Sequence, residues 1–429
     1  MAKDKVVVGI DIGSSKISTI IANVVIDEPL HVIGVSSVPS RGIRKSQVVD
    51  IDEAVVALTE SLEAAERMAG YSIGTAFVSV GGTHIECQNS KGVVAVSEPQ
   101  GEISDDDVRR VKEAARAISL PSSKEILHVV PRHFIVDSQP GIKDPIGMTG
   151  VRLEVETHII TGSATAMRNL TKIVQEVSVD VAGLVFSGVA AAEATLSETE
   201  KELGVVLVDL GGGTIDICIF VEGALSHSAV LPIGAKNITN DLAIGLRVSL
   251  DTAEKIKLLL SEPPKLAIEP EEPEPKSNKK ATKEDDMVDL SGLGLPEELK
   301  SVSRKTLVDG IMRPRLKEIF TMVRLELQKS GLAGLTPAGI VLAGGGAQTN
   351  GILEIAKHEL AMPVRIGYPQ GATGLIDEIA SPAFAASLGL VLYAARVETE
   401  GEARLPLVGR VEIKGLISRG VDWLKSLLP

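Results

Sequence analysis

Aromatic side chains are scarce in this sequence, at 2% of its 429 residues, and it contains one Trp. A protein that stacks nucleic-acid bases needs exposed aromatic platforms, so this composition argues against such a surface. The formal net charge of −13 points the same way, because nucleic-acid phosphates repel an acidic protein. We therefore expect no nucleic-acid partner. The chain is 44% hydrophobic and 24% charged, which fits a globular protein, and its length allows two or more domains.

Cysteines and long apolar runs are also few. Cys87 and Cys218 both fall in strand-like apolar runs, which favours buried free thiols over a disulfide or a metal site. No uninterrupted apolar stretch reaches the length of a transmembrane span. The first residues, MAKDK, lead directly into a hydrophobic strand, with neither a long apolar h-region nor a cleavage site. These features predict a cytoplasmic protein.

The most informative stretch is residues 204–220, GVVLVDLGGGTIDICIF. A buried strand ends at Asp209, a glycine turn occupies 211–213, and a second apolar strand begins after Thr214. Glycines leave backbone N–H groups uncovered, and a nest of such donors suits an anionic phosphate. An acid beside a phosphate is repelled unless a cation lies between them, so Asp209 indicates Mg²⁺. A plain tight hairpin is the alternative interpretation of this stretch taken alone.

A second copy of the pattern lies near the N-terminus. Residues 6–12 form an apolar strand that carries Asp11, and the residues that follow are Gly13, Ser14, Ser15 and Lys16. Two such hairpins suggest two similar half-domains that face each other across one phosphate chain. A third glycine cluster lies in GIVLAGGGAQTNG at 339–351. None of the three fits the dinucleotide-binding G-x-G-x-x-G pattern or the P-loop pattern.

These three stretches resemble the phosphate-1, phosphate-2 and adenosine motifs of the superfamily that contains actin, sugar kinases and heat-shock chaperones. The chain as a whole is similar to FtsA, a family of actin-like bacterial cell-division proteins. That resemblance covers nearly the whole chain and includes VSVGGTHIECQNSKGVVAV (78–96), HVVPRHFIVDSQPGIKDPIGMTGVRLEVETHIITG (128–162) and NITNDLAIGLRVSLDTAEKIK (237–257). It implies an α/β, actin-like two-domain ATPase fold with a cleft for ATP between the domains. The alternation of strand hairpins and helices independently predicts the α/β class.

The resemblance also implies a division into subdomains, with an inserted α/β unit called 1C. The expected boundaries are 1–83, 163–195 and 375–396 for subdomain 1A, 84–162 for 1C, 196–232 and 302–374 for 2A, 233–301 for 2B, 397–412 for a tether, and 413–429 for a terminal helix. Within 2B, residues 261–290 are rich in Pro, Glu and Lys and poor in large apolar residues, which predicts a mobile acidic loop. A partner-binding loop is the alternative.

Local patterns predict several further elements. They are a polar link at 42–49, a helix at 52–69 capped by Asp52 and ended by Gly70, a strand pair at 85–88 and 93–96, a helix at 104–118, and a long helix at 307–327 with an irregularity at Pro314. His128, His133 and His158 fall in strands without metal-ligand spacing, so we expect structural histidines.

Carried onto this sequence, the resemblance implies a complete nucleotide site. Asp11 and Asp209 would orient Mg²⁺, largely through waters, and Glu254 and Lys257 would reach the ribose. An ordinary i,i+3 surface ion pair is the alternative for the latter two. The expected ATP-binding residues are Asp11, Gly13, Ser14, Ser15, Lys16, Asp209, Gly211, Gly212, Gly213, Thr214, Glu254, Lys257, Gly344, Gly345 and Gly346. Ser187 stands where heat-shock chaperones have a water-activating acid, so no catalytic residue is assigned.

The C-terminal stretch 413–429, IKGLISRGVDWLKSLLP, has an amphipathic pattern. At about 100° per residue, one face collects the apolar side chains Ile413, Leu416, Ile417, Val421, Trp423, Leu424, Leu427 and Leu428. Lys414 and Lys425 flank that face, where they would meet anionic lipid phosphates. The pattern predicts a helix that lies in the membrane interface, and the resemblance implies the same role. A terminal helix packed on the protein's own core is the alternative.

The predicted function is that of a cytoskeletal adaptor on the cytoplasmic face of the cell membrane at the division site. By resemblance, it would bind ATP, polymerise with itself, hydrolyse ATP slowly or not at all, and anchor the tubulin-like division protein FtsZ. Other division proteins would bind through subdomain 1C. The alternatives are a metabolite kinase, a chaperone ATPase, and another bacterial actin such as MreB or a pilus-assembly ATPase. No motif stands out for the catalytic acid that a kinase needs, and too little chain remains for a chaperone's substrate domain.

Overall fold

A computed structural model describes residues 5–25, 28–97, 101–261, 286–293 and 301–399. The first part of the chain forms β1 (Lys5–Ile12), β2 (Lys16–Val24), β3 (Leu30–Pro39), β4 (Ile43–Arg44), β5 (Gln47–Val48), α1 (Ile51–Ala69) and β6 (Thr75–Val80). The next part forms β7 (Glu86–Ala95), α2 (Asp105–Arg116), β8 (Lys124–Val136), β9 (Gln139–Ile142) and β10 (Arg152–Ser163). It is followed by α3 (Ala164–Glu176), β11 (Asp180–Phe186), α4 (Ser187–Thr195) and α5 (Glu198–Leu203).

The second half begins with β12 (Val205–Leu210), β13 (Ile215–Val221), β14 (Ala224–Leu231), α6 (Ala235–Leu246) and α7 (Leu250–Ser261). It continues with β15 (Met287–Asp289), β16 (Ser301–Ser303), α8 (Arg304–Leu307), a π-helical turn (Val308–Met312) and α9 (Arg313–Ser330). The last elements are β17 (Ile340–Ala343), α10 (Ile352–Leu360), β18 (Val364–Ile366), β19 (Ala372–Gly374), α11 (Ile376–Ile379) and α12 (Ala385–Thr399). Short 3₁₀ turns occur at Ser291–Leu293, Ala333–Leu335, Gly345–Gln348 and Pro382–Phe384.

Two sheets of matching construction form the centre of the molecule. The sheet of domain 1 has the order β11-β6-β1-β2-β3-β19, and the sheet of domain 2 has the order β14-β13-β12-β17-β18. In each, an antiparallel three-strand meander continues through parallel neighbours: β1 pairs with β6, and β12 pairs with β17. Every residue of β12 is buried, as expected for a central strand covered on both faces. This doubled mixed α/β architecture confirms the predicted fold class.

An inserted unit lies between β6 and α3. Its sheet has the order β7-β10-β8-β9, and α2 packs on one face over a core that includes Phe134, Leu153 and Val155. The sequence predicted two short strands here, at 85–88 and 93–96, but β7 is one continuous strand that pairs with β10 throughout. The polar residues in its middle suggested a break. Gly92 is instead the point at which α2 touches the strand, because a Cβ there would lie 2.2 Å from Val111 O.

Two local predictions in domain 1 are wrong. The cap of α1 is Asp50 rather than Asp52, because Asp50 has an extended backbone and its side chain accepts a hydrogen bond from Glu53 N at 3.0 Å. Residues 42–49 are not a plain link, since β4 and β5 form a small hairpin there whose turn is Lys45–Ser46. The predicted helix end at Gly70 is confirmed by its left-handed φ of 62°.

Other local predictions are confirmed. Ser104 caps α2 in a capping box with Asp107. The irregularity expected near Pro314 is the π-helical turn that joins α8 to α9. The ends of the predicted loop 261–290 have regular structure, since Ser261 closes α7 and β15 pairs with β16. Residues 397–399, which were predicted to begin the tether, instead belong to α12, which continues to Thr399. Residues 262–285, the rest of the predicted tether at 400–412 and the terminal helix predicted at 413–429 lie outside the described residues.

A polar contact joins the insert to the edge strand of domain 2. His158 Nε2 lies 2.9 Å from Ser228 Oγ, and Cys87 Sγ lies 3.8 Å from His227 Nδ1, whose other ring nitrogen is 3.1 Å from Glu326 Oε1. Burial opposes ionisation of Cys87, but hydrogen bonds from the two histidines outweigh it and lower the pKa of the thiol to about 5.

The histidines and cysteines mainly follow the sequence predictions. His128 accepts a hydrogen bond from Phe186 N at 2.9 Å, and His133 lies 3.7 Å from a carboxylate oxygen of Glu156, so both make structural contacts. Both cysteines are free, as predicted; Cys218 is buried, whereas Cys87 is only half-buried. Within the described ranges, no helix is both long and apolar enough to cross a membrane.

Candidate functional site

The two domains meet at two hairpin turns of the same length. Asp11 and its cross-strand partner Ser18 bracket the first turn, and Asp209 and Asp216 bracket the second. Each turn closes with the same backbone hydrogen bond at 3.0 Å, from Gly13 N to Lys16 O and from Gly211 N to Thr214 O. The predicted half-domain symmetry therefore extends to individual hydrogen bonds.

The tips of the two turns touch each other. A Cβ at Gly212 would lie 2.0 Å from Ser15 Oγ, and one at Gly213 would lie 2.8 Å from Ser14 Oγ. Lys236, at the start of α6 in domain 2, donates from Nζ to Ser14 O at 2.7 Å. The glycines of the second turn thus allow a close approach of the domains that side chains would prevent.

The acid of the first turn is well supported by hydroxyl groups. Ser79 Oγ donates to Asp11 Oδ1 at 2.7 Å and Ser387 Oγ donates to Asp11 Oδ2 at 2.9 Å. Ser79 follows Val78 of β6, and Ser387 lies in α12, so elements distant in sequence position this carboxylate. No motif in the sequence predicted that either serine would contact Asp11.

The acids of the second turn are in a different electrostatic state. Burial, with the nearby carboxylates of Asp216 and Asp11, raises the pKa of Asp209 well above its ordinary value. Burial also raises the pKa of Asp216 to about 7, although Ser187 Oγ donates a hydrogen bond to its Oδ2. Asp216 Oδ1 is buried and has no hydrogen-bond partner among the described residues. A cation placed here would relieve this concentration of negative charge.

Lys16 supplies a buried positive charge in the same cleft. Its Nζ lies 3.3 Å from the centroid of the Phe384 ring and finds no hydrogen-bond partner among the described residues. Burial lowers the pKa of Lys16 to about 8, against the opposing attraction of Asp11 and Asp209. A buried ammonium that has no hydrogen-bond acceptor among the described residues is unusual, and it fits an anionic ligand.

The far side of the cleft is formed by α7 and the third glycine cluster. Lys257 Nζ donates to Glu254 Oε2 at 2.7 Å and to Thr239 Oγ1 at 2.9 Å, and Lys257 is buried. The ammonium of this pair is therefore buried, whereas the side chain of Glu254 is 42% exposed. Gly344 adopts a φ of 79°, and a Cβ there would lie 2.2 Å from Asp209 Oδ1. The glycine is needed both for its backbone conformation and for the space beside the acid.

A cleft of about 350 Å³ collects most of the residues expected from the sequence. The predicted residues that line it are Asp11, Gly13, Ser14, Ser15, Lys16, Asp209, Gly211, Gly212, Thr214, Glu254, Lys257, Gly344, Gly345 and Gly346. Gly213 does not line the cleft and faces Ser14 and Lys45 instead.

Sequence reasoning did not include several other residues that line the cleft, among them Ser46, Ser79, Ser187, Asp216 and Lys236. The sequence did indicate Asp216, because the predicted hairpin places it directly opposite Asp209.

The donor set fits a metal that is shared with a ligand. Among the described residues, no group of three or more His, Cys, Asp and Glu side chains is placed to hold a metal ion alone. Mg²⁺ generally keeps several waters and takes phosphate oxygens beside one or two carboxylates. The carboxylates of Asp209 and Asp216 are suited to that arrangement, because within the described ranges Asp216 Oδ1 has no hydrogen-bond partner.

Solved structures of the same fold have low sequence identity to this chain. The PilM–PilN type IV pilus biogenesis complex matches with a TM-score of 0.62 and 16% identity, over 91% of this chain and 98% of that chain. MreB5 of Spiroplasma citri bound to ADP matches with a TM-score of 0.51 and 13% identity, over 93% and 99%. The fold and the paired-hairpin cleft define a protein of the actin-like class.

Sequence relatives are more specific. A family model described as "SHS2 domain inserted in FTSA" matches residues 82–161, and one described as "Cell division protein FtsA" matches residues 206–389. Cell division protein FtsA of Pseudomonas aeruginosa is 38% identical over 92% of this chain and 91% of its own. Those of Borreliella burgdorferi and Escherichia coli K12 are 40% and 33% identical, over 90% and 98% of both chains. The chain belongs to the FtsA family of cell division proteins, as the resemblance implied.

Proposed function

We propose that the protein binds ATP together with Mg²⁺ in the cleft between its two domains. The observation that carries the proposal is the buried ammonium of Lys16, which has no hydrogen-bond partner in the part of the chain that the structure describes and which lines the cleft together with residues of both turns. A phosphate chain would neutralise this charge and accept hydrogen bonds from the backbone donors of both turns. A structure of similar fold, MreB5 of Spiroplasma citri, holds ADP.

The remaining cleft residues would divide the ligand among them. Asp11 and Asp209 would orient Mg²⁺, largely through waters, with Asp216 beside them. Glu254 and Lys257 would hold the ribose, and Gly344 to Gly346 would leave room for the adenine. The metal, when bound, would neutralise charge on the phosphates.

Calorimetric titration with ATP, with and without Mg²⁺, tests this proposal. Gly212→Asp places a carboxylate against Ser15 and beside the phosphate position, so binding should fall by a factor of about 100 or more. Gly292→Asp is the matched control, because a Cβ at Gly292 has no atom within 4 Å. Parental ATP binding by Gly212→Asp would contradict the placement of the phosphates.

We further propose that ATP-bound copies polymerise and attach an FtsZ-like division ring to the cytoplasmic face of the membrane. Family membership supports this role, and so does the amphipathic pattern of residues 413–429. One such helix, with a small basic surplus, binds lipid weakly and reversibly. Several helices on one polymer do not dissociate together, so attachment strengthens by roughly 10²–10⁴. Other division proteins would bind the insert.

Pelleting with anionic liposomes, with and without ATP and FtsZ, tests this second proposal. Trp423→Glu puts a charge at the edge of the apolar face and should abolish liposome binding while ATP binding stays parental. Ser426→Glu adds the same charge on the polar face and should have a smaller effect. Normal lipid binding by Trp423→Glu would remove the anchor interpretation, and failure to recruit FtsZ to the liposomes would remove the adaptor interpretation.

A further inference from the structure

The hairpin of β4 and β5 inserts its turn between the two domains. Lys45 and Ser46 have φ values of 48° and 57°, a left-handed conformation that residues other than glycine seldom adopt. Such conformations persist where the surroundings hold them in place. Here the surroundings are Gly81, where a Cβ would lie 3.2 Å from Ser46 Cβ, and Gly213, where a Cβ would lie 3.2 Å from Lys45 Cα.

Ser46 is bonded to both hairpin turns of the cleft. Its backbone N–H donates to Ser14 Oγ at 2.8 Å, and its hydroxyl lies 3.2 Å from Thr214 Oγ1. Ser14 belongs to domain 1 and Thr214 to domain 2, and both are buried. One residue with a left-handed backbone thus links a cleft-lining hydroxyl of domain 1 to a cleft-lining hydroxyl of domain 2.

The bonds to Ser46 leave the protons of those hydroxyls free to serve a ligand. Ser14 Oγ already accepts from Ser46 N, so its own proton can point elsewhere. When Ser46 Oγ donates to Thr214 Oγ1, the Thr214 proton is free in the same way. Two neighbouring hydroxyl donors, one from each domain, suit a group with several acceptor oxygens, and a phosphate has them.

We propose that Ser46 is a positioning residue for the terminal phosphate of a nucleoside triphosphate, acting through Ser14 and Thr214. The inference rests on the proposed ATP site, which places the sugar at Glu254 and Lys257 and the phosphates at the hairpin turns. Ser46 lies with the turns. Because the terminal phosphate is present only in the triphosphate, the proposal requires Ser46 to contribute to binding of the triphosphate and not to binding of the diphosphate.

The test compares ATP and ADP affinities, both with Mg²⁺, in the full-length protein. Ser46→Ala removes the hydroxyl and keeps the cost of the left-handed turn, whereas Ser46→Gly removes both. Each should weaken ATP about two- to tenfold, the worth of one hydrogen bond, and leave ADP unchanged. Ser138 is the matched control, since it is a serine at φ 76° in the β8–β9 turn of the insert. Ser138→Ala and Ser138→Gly should change neither affinity.

A double variant tests the route through Thr214. If Ser46 acts through that hydroxyl, adding Ser46→Ala to Thr214→Val should weaken ATP no further than Thr214→Val alone. Where Ser46→Ala is too unstable to measure, Ser46→Gly decides, because its turn is relaxed. A parental ratio of ATP to ADP affinity in Ser46→Gly, or equal weakening of both nucleotides, would overturn the inference while the ATP site stands. If the parent protein binds neither nucleotide, the proposed function falls and this inference falls with it.

Discussion

The turn of β1 and β2 and the turn of β12 and β13 have the same length and the same closing hydrogen bond, but they differ in charge. Opposite Asp11 stands Ser18, whereas opposite Asp209 stands a second acid, Asp216. The neighbouring parallel strand adds the hydroxyl of Ser79 to the first acid and only the methyl of Ala343 to the second.

The difference shows how a repeated backbone can carry two roles. The first carboxylate is satisfied by protein hydroxyls and is fixed in place before any ligand binds. The second pair of carboxylates repel each other, and burial raises the pKa of both. We infer that the first turn positions a ligand and that the second creates the need for a cation. Four predictions test this contrast, from the largest expected effect to the smallest.

Ser79 of β6 and Ala343 of β17 lie beside the two acids, and the residues that directly follow them should tolerate substitution very differently. Domain 1 has Val80 at this place, whereas domain 2 has Gly344, where a Cβ would meet Leu210 O at 2.6 Å. Gly344→Ala should therefore lower the free energy of unfolding by roughly 2–4 kcal/mol, from strain and the close contact. Thermal unfolding measures this. Gly345→Ala is the control, since its nearest atom is Ala383 Cβ at 3.7 Å, and equal losses in both would contradict the prediction.

Neutralising the two acids should change stability in opposite directions. Asp209→Asn removes a buried carboxyl whose raised pKa makes folding at neutral pH costly, so the nucleotide-free protein should become more stable while Mg²⁺-dependent ATP binding is lost. Asp11→Asn takes an acceptor from Ser79 or Ser387 and should cost about 1–3 kcal/mol. Unfolding without nucleotide and ATP titration separate the two effects. A loss of stability in both variants would end the proposed contrast.

The second turn should also make stability depend on pH. The folded pKa of Asp216, about 7, exceeds its ordinary value of 3.8, so the folded chain holds this proton more tightly than the unfolded chain. That contribution is complete below the ordinary pKa and is lost as the pH rises through the folded one. Between about pH 5 and about pH 7, stability without nucleotide should fall by at most about 1.4 kcal/mol per pH unit.

Two variants at matched positions identify the source of this pH dependence. Asp216→Asn should reduce the slope, whereas Ser18→Ala, at the corresponding position of the first turn, should leave it unchanged. If both variants kept the parental slope, the charge that governs it would lie elsewhere in the molecule.

The smallest effect on stability is expected from substitutions of Ser79 and Ala343, the residues beside the two acids on the neighbouring parallel strands. Ser79→Ala removes the hydroxyl that donates to Asp11 and accepts from Ile12 N at 3.0 Å, at a cost of about 0.5–1.5 kcal/mol. Ala343→Ser is the reverse change beside Asp209 and should partly offset the need for a cation. Denaturant unfolding with and without Mg²⁺ measures the stability change in both variants. If Ser79→Ala costs no stability when Asp11→Asn is already present, the cost belongs to the hydrogen bond between Ser79 and Asp11.

The sequence was sufficient to predict features that depend on neighbouring residues, such as strands, turns and the acid at a strand end. Residues 204–220 showed strand, acid, turn and strand in order, and comparison with residues 6–22 implied two facing halves. It was not sufficient for groups that converge from distant elements, such as Ser79 and Ser387 on Asp11. The strand β7 was split because its middle is polar, and its pairing with β10 is a tertiary effect. The β4–β5 hairpin was missed because neither Lys45 nor Ser46 is a usual residue for so tight a turn.

Helices α4 and α12 pack against each other: α4 leads from β11 in domain 1 toward β12 in domain 2, and α12 follows β19, the strand by which the chain re-enters the sheet of domain 1 after β18. At the crossing, a Cβ on Gly389 would lie 1.7 Å from Ala190 O, so the helices touch backbone to backbone. Around this contact, Ala190 and Ala194 of α4 share an apolar cluster with Leu390 and Val391 of α12, and Arg396 pairs with Glu193. If one domain rotated about this close contact, a small angle there would produce a larger displacement at the outer ends of the molecule, which are the surfaces that successive subunits of a polymer would have to match.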